Sequence, residues 1–328
     1  MAVVVTPALG AQSTPPPAVA HMSPIAVPRW AFPTAPAPNP APIPDSLTRH
    51  HIPRSARTYS AREALNPFDV ADWFPATHPP MPASVRYGRA PEPRGCGFCH
   101  LPDGAGRPEN ATLAGLPADY IARQVAAFRN GSRLTANPAA NTNSMHVVAR
   151  SVSDAEVAEA ASYFSSLPLK RRNRIVETRQ LPRTRIAVML YAYDGPGTEP
   201  IDGRLIEVPA TLERHELHDP TVVYTTFVPP GALARGRRLA ASGPAGPTTA
   251  CRSCHGPRLL GLGVAPPIAG RLPTYLLRQL FNFRTGVRHE VGSELMQPVV
   301  DALSIDDMVS LAAYVGSRPP NNLATRHH

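Results

Sequence analysis

Only four cysteines occur in the 328-residue chain, and they fall into two copies of one pattern. The string CGFCH begins at Cys96 and CRSCH at Cys251, so the thiols of each pair, Cys96/Cys99 and Cys251/Cys254, are three positions apart. A histidine follows each pair at once, His100 or His255. On one helical turn, two thiols at this spacing share a side and can both add to the vinyl groups of one porphyrin. The next residue then turns its imidazole towards the iron. C-x-x-C-H is accordingly the attachment signature of c-type haem. Two other readings use the same residues. Two C-x-x-C pairs can form one zinc site, but 151 residues separate the pairs, and zinc gives no reason for a histidine after each. A thioredoxin-like redox motif expects one C-x-x-C within a βαβ pattern.

The motifs head an internal repeat with an offset of 155 residues, and such self-similarity constrains architecture before any local reading does. Gly115 matches Gly270, Tyr120 matches Tyr275, Gln124 matches Gln279 and Phe128 matches Phe283. Arg129, Gly131 and Arg133 match Arg284, Gly286 and Arg288. The second copy then lacks four residues, and register returns at Met145 and Met296. Eight positions after each methionine stands Ser153 or Ser304, and eighteen after it Tyr163 or Tyr314.

Each copy reads as mostly helical. Pro117 and Pro273 suit the first turns of helices running to Asn130 and Thr285, which Gly131 and Gly286 end. Ser153 and Ser304 suit N-caps. The helices after them set Val157, Ala160, Phe164 and Leu167, or Met308, Leu311, Ala312 and Val315, on one face. Pro168 and Pro319 follow as stops. A short helix is predicted before each motif, around 82–90 and 230–242.

These strings resemble class I cytochrome c domains, and the tandem pair is similar to dihaem cytochromes c of the c-four kind. The resemblance rests on CGFCH, LAGLPADYIARQVAAFRNGSR, Met145 and SDAEVAEAASYFSSLP in the first copy. In the second it rests on CRSCHG, PPIAGRLPTYLLRQLFNFRTGVR, Met296 and LSIDDMVSLAAYVGSRP. It implies a mostly α fold of two tandem class I cytochrome c domains, over 81–170 and 231–328; the Pro-rich N-terminal arm and strap over 1–80 and the small β-containing insert over 171–230 depart from the family, which has a short linker between its domains. It implies two covalently attached haems c. Cys96 and Cys99 would form the thioethers of haem one, with His100 and Met145 as axial ligands. Cys251, Cys254, His255 and Met296 would do the same for haem two. His146 is the rival of Met145. A proline carbonyl, here Pro266, would accept a hydrogen bond from the proximal imidazole; the first copy has Ala111 in that place. Gly88 and Gly236 would be the small residues that let the first helix of each domain pack closely on the last, near Tyr163 and Tyr314.

The remaining segments match no family pattern. Proline makes up 41 residues, twelve of them within the first 44, and residues 1–53 read as a flexible or polyproline linker. MAVVVTPALGA and AVA at 18–20 make a weak signal peptide, because no basic region precedes them. The resemblance nevertheless implies the bacterial periplasm, where haem c is attached. Residues 54–81, with Trp73, Phe74, His78 and Met81, read as a strap on the first domain, an extra ligand being the alternative. KRRNR at 170–174 reads as solvated. RIAVMLYAY, RLIEV and TVVYTTFVP read as strands. His215 and His218 read as a polar surface turn rather than a metal site.

No run approaches 18 apolar residues, so a membrane-spanning helix is not predicted. The formal charge is +9, which favours acidic partners, but it is spread and forms no nucleic-acid arm. With both axial positions filled, the expected function is one-electron transfer rather than catalysis. The expected partners are redox proteins with an acidic docking face: a donor dehydrogenase or quinol-oxidising complex and a terminal oxidase or other acceptor. A dihaem peroxidase, which needs an open iron, and a cytochrome subunit of a periplasmic dehydrogenase are the alternatives.

Overall fold

The computed structural model describes residues 25–36, 44–136, 143–246 and 249–320. The candidate leader over 1–20 lies outside them. The described chain is mostly helical with three small sheets.

A strap comes first, with β1 (His50–His51) paired to β2 (Thr58–Tyr59) and a one-turn α1 (Ala61–Ala64) capped by Ser60. The first repeat holds α2 (Ala83–Arg86), α3 (Cys96–His100), α4 (Ala118–Asn130), α5 (Asn143–Ser151) and α6 (Asp154–Ser166). The insert holds β3 (Asn173–Glu177), β4 (Gln180–Ala187), β5 (Leu190–Pro200), β6 (Ile206–Pro209), α7 (Leu212–Glu216) and β7 (Tyr224–Val228). The second repeat holds α8 (Ala232–Ser242), α9 (Cys251–His255), α10 (Pro273–Arg284), α11 (Gln297–Asp301) and α12 (Ile305–Ser317).

Local chemistry accounts for the helix limits. Ser153 and Ser304 each accept from the backbone N–H three residues on, while Glu156 or Asp307 reaches back to the cap, which satisfies otherwise orphaned donors. Gly131 ends α4 in the left-handed region, at φ 81°. In α6 Val157, Ala160 and Phe164 are buried as predicted, as is Leu167 at the helix end, and Ala161 and Tyr163 are buried with them. In α12 every residue from Asp307 to Gly316 is buried. The reason is packing on several sides: α8 and α10 cover one part, β3 and β7 of the insert another.

Gly236 behaves as expected. A Cβ there would lie 2.1 Å from Ser310 O and 2.7 Å from Tyr314 Cβ, so α8 crosses α12 backbone to backbone. Gly88 does not. Helix α2 stops at Arg86, and Gly88 packs on Phe68, Pro93 and Arg94 instead. In the first repeat, Ser84 and Val85 of α2 face α6: Ser84 Oγ donates to Glu159 at 2.6 Å, and Val85 is fully buried with Ala160 and Phe164.

Three further expectations are corrected. Residues 25–36 are not a linker. Ala31 and Phe32 are buried in the core of the second repeat, with Phe32 beside Phe281, and Arg278 Nε donates to Ala31 O at 2.9 Å. KRRNR is not solvated throughout: Arg172 and Asn173 are buried, and Arg172 Nη1 donates to Pro220 O at 2.8 Å. RIAVMLYAY is not one strand. The chain reverses at Val188–Met189, so that Ala187 pairs with Leu190 in a β4–β5 hairpin. Beside it, β7 joins β3 in parallel and β6 antiparallel. The strap packs on the insert as well as on the first repeat. Trp73 is buried with Ile52, Ala64 and Leu217, and its indole N–H donates to Leu217 O at 2.9 Å.

Candidate functional site

Each motif folds as a single helical turn, α3 or α9, entered from an extended residue. That turn places both cysteines of a pair on one side. Each motif histidine is then fixed by its own copy. His100 Nδ1 donates to Ala111 O at 2.8 Å, and His255 Nδ1 donates to Pro266 O at 2.8 Å. Ala111 serves as well as proline because the acceptor is a backbone carbonyl. In both rings the tautomer leaves Nε2 with a lone pair, the arrangement second-shell partners impose on metal-binding histidines. Burial pushes the His100 imidazole down to about 4, and it lowers His255 too, so both rings are neutral at pH 7.

Three of the four thiols, Cys96, Cys99 and Cys251, are held protonated by burial, while Cys254 is exposed. Burial pushes Cys96 up to about 12 and Cys251 up to about 11. A zinc site would instead require thiolates converging on one point. Among the described residues, no cluster of three or more His, Cys, Asp or Glu side chains could hold a metal ion. Cys96 borders the first core with Val85, Leu116 and Phe164, and Cys251 borders the second. Cys96 and Cys251, neutral thiols at the edges of apolar cores in motifs that each end in an oriented imidazole, suit a covalently held porphyrin.

The two methionines differ in setting. Met296 ends a 3-10 turn, Ser293–Met296, and packs on the core that Cys251 also borders. Met145 is half-buried on α5. Its neighbour His146 donates from Nδ1 to Phe128 O at 2.7 Å, and its Nε2 is buried without a hydrogen-bond partner.

His215 and His218 are not on the surface. Both are buried where the insert meets the first repeat. His215 sits between Tyr224 Oη, 2.9 Å from Nδ1, and Glu109 Oε1, 3.3 Å from Nε2. His218 meets the ring of Phe98 edge-on at 4.8 Å. Burial would raise the Glu109 carboxyl, but the charges of Arg107 and His215 hold it well below the usual carboxylate range. Burial drives His218 well down, helped by Arg107 and His215. Of the strap's candidate ligands, Met81 packs on the first core, and His78 lies between Asp72 and Tyr163 Oη, at 3.3 and 2.9 Å.

The repeat match also carries an interface that sequence reasoning left without a role. Arg133 and Arg288 pair as an isolated antiparallel bridge, extended by Leu134 N–H to Val287 O and His289 N–H to Ser132 O. Each guanidinium stacks on a phenylalanine of its own copy, Phe128 at 4.7 Å and Phe283 at 4.3 Å. Each then donates across: Arg133 to Tyr275 Oη at 2.9 Å and Gln279 at 3.2 Å, Arg288 to Tyr120 Oη and Gln124, both at 3.0 Å. These are the matched residues of the two copies, so the interface is a local two-fold. Glu290, which receives Arg288 Nε at 2.8 Å, breaks the symmetry, because the first copy has Thr135 there.

No family model matches the chain. It is 25% identical over 224 residues to the cytochrome c4 of Pseudomonas aeruginosa, covering 67% of this chain and 82% of that one. It is 26% identical over 230 residues to a thiosulfate dehydrogenase electron acceptor of Stutzerimonas stutzeri, covering 69% and 80%. Over 69 residues, 21% of this chain, it is 36% identical to the cytochrome c-554(548) of Halomonas halodenitrificans, of which it spans 83%. The chain belongs to the c-type cytochromes. It is a tandem dihaem class I cytochrome, and its work is electron transfer through two covalently attached haems c rather than catalysis on a substrate. Its partners are redox proteins. No helix among the described residues of this cytochrome is long and apolar enough to cross a membrane.

Proposed function

We propose that this cytochrome passes single electrons between redox proteins of the bacterial periplasm, with one haem in each of the units 81–170 and 231–328. Cys96, Cys99, Cys251 and Cys254 would form the thioethers, and His100 with Met145 and His255 with Met296 would hold the two irons. Bound haem supplies a one-electron iron couple. The chain's residues do the rest. The carbonyls of Ala111 and Pro266 hold the imidazoles in one tautomer and orientation, and the apolar cores that Cys96 and Cys251 border fix the motifs beside them. Two soft thioether ligands would favour reduced iron. The observation that carries the reading is the pair of motif histidines, bound alike at Nδ1 and open at Nε2. The donor is a substrate dehydrogenase or a quinol-oxidising complex. A relative named as a thiosulfate dehydrogenase electron acceptor supports the dehydrogenase, and the net charge of +9 supports an acidic docking face on the partner.

The ligand assignment is tested with Met145→Ala, His146→Ala and Met296→Ala holoproteins. Met145→Ala and Met296→Ala should each remove about half of the methionine–iron charge-transfer absorption, following the His/Met pattern. His146→Ala should leave it intact. Loss of a haem's low-spin signal in His146→Ala alone would transfer the first distal position to His146.

A further inference from the structure

One turn, present twice in this chain, has two unlike surfaces. After each motif an isolated antiparallel bridge closes a short turn, Arg107 to Asn110 and Leu262 to Ala265, at the repeat offset. In the first copy the turn carries Arg107 and Glu109, whose side chains are only 12% and 5% exposed. The insert covers them, with His215 on Glu109 and His218 on Phe98 of the motif itself. In the second copy the same positions are Leu262 and Val264, 61% and 75% exposed. Cys254 is exposed while Cys99 is half-buried. The bare turn adjoins its motif, since a Cβ on Gly256 would lie 3.9 Å from Leu262 Cβ.

Along the sequence on either side of the bare turn, charge has one sign, although Arg235, Arg284 and Arg288 pair with Asp307, Asp301 and Glu290 beyond that stretch and Arg271 and Arg278 are buried. From Pro220 to His289 the chain has nine arginines and neither aspartate nor glutamate. The equivalent stretch of the first copy, 65–134, has six acids: Asp69, Asp72, Glu92, Asp103, Glu109 and Asp119. Arg258 is exposed between motif and turn, and Arg237 and Arg238 are exposed on α8, which packs on α9. Adjacent large apolar side chains left in water mark an interaction site, and a cationic surround selects a partner of opposite charge.

We infer that the Leu262–Ala265 turn, with the Cys254 side of the second motif, is the face on which this cytochrome docks a redox protein presenting an apolar centre ringed by carboxylates, and that the insert closes the matching face of the first copy. This rests on the electron-carrier reading above.

The test uses the holoprotein on gold bearing a mixed monolayer of carboxylate- and methyl-terminated alkanethiols. Adsorption is followed by microbalance and interfacial electron exchange by voltammetry. Leu262→Asp/Val264→Asp should weaken adsorption and slow exchange by about tenfold, the low end of electrostatic steering. Arg258→Glu should do so less. Val188→Asp/Tyr193→Asp, the same charge change on exposed apolar residues of the hairpin, should behave as wild type. Equal losses in both double variants, or none in the Leu262/Val264 variant, would overturn the assignment of the face. Haem per chain and dithionite-reducible haem are measured on the same samples. Two reducible haems beside an unaffected Leu262/Val264 variant sink the docking face alone. Fewer than two haems in the wild type sink the carrier reading, and the docking face with it.

Discussion

Gly236→Ala adds one methyl group where none fits. Its Cβ would stand 2.1 Å from the carbonyl oxygen of Ser310 and 2.7 Å from Tyr314 Cβ. Normal contact needs more than 3 Å, so α8 must move away from α12 by about 1 Å. Neither obstacle is a side-chain tip that could swing aside: one is backbone, the other a Cβ. A gap of that size forfeits about a quarter to a half of each dispersion contact along the crossing, and overpacking costs about 1–3 kcal/mol, sometimes more. Alanine returns up to about 1 kcal/mol through helix propensity. The net expectation is about 2 kcal/mol of destabilisation, despite the better helix former. Urea unfolding of the holoprotein, followed by circular dichroism and haem absorbance, measures it. A variant within about 0.5 kcal/mol of wild type, the range of neutral surface changes, would refute the close crossing.

Phe32→Ala should cost about 3–5 kcal/mol, the range for emptying a buried aromatic site, because Phe32 belongs to the second repeat's core; urea unfolding of the holoprotein reads this. Arg133→Met and Arg288→Met share Gln124 and Gln279 as partners, so a double-mutant cycle should show coupling of about 1 kcal/mol or more. Glu109→Gln leaves Arg107 buried without its counter-charge and should cost about 3–5 kcal/mol. Glu109 and His218 also set a pH dependence. Both bind protons more readily unfolded than folded, so stability should fall as pH drops through the ordinary histidine range and again through the ordinary glutamate range. Denaturation midpoints from pH 8 to pH 4 check the sign, and midpoints that rise on acidification would contradict it.

The motif chemistry and the helical skeleton of both repeats were legible because each depends on local spacing: a turn of helix for C-x-x-C-H, a serine cap, a glycine end. The matched Tyr120/Tyr275, Gln124/Gln279 and Arg133/Arg288 were legible as a pattern but not as an interface. Polar residues repeated within amphipathic helices were the available signal, and their partners are about 140–170 residues away. Burial of His215, His218 and Arg172 was not legible at all. Their polarity argues for solvent unless Glu109, Tyr224 and the carbonyls of Pro220 and Gly106 are known to meet them. Phe32 was hidden by composition, since a proline-rich arm reads as a linker until the core it completes is seen. Gly88 misled because the first repeat has a much shorter opening helix than the second.

Haem quantified per chain, together with the optical and EPR spectra of the ferric holoprotein, tests the central claim most directly. The account predicts two haems c per chain, both low-spin, with a methionine–iron signature. A single haem, or one high-spin iron with an open position, would contradict it.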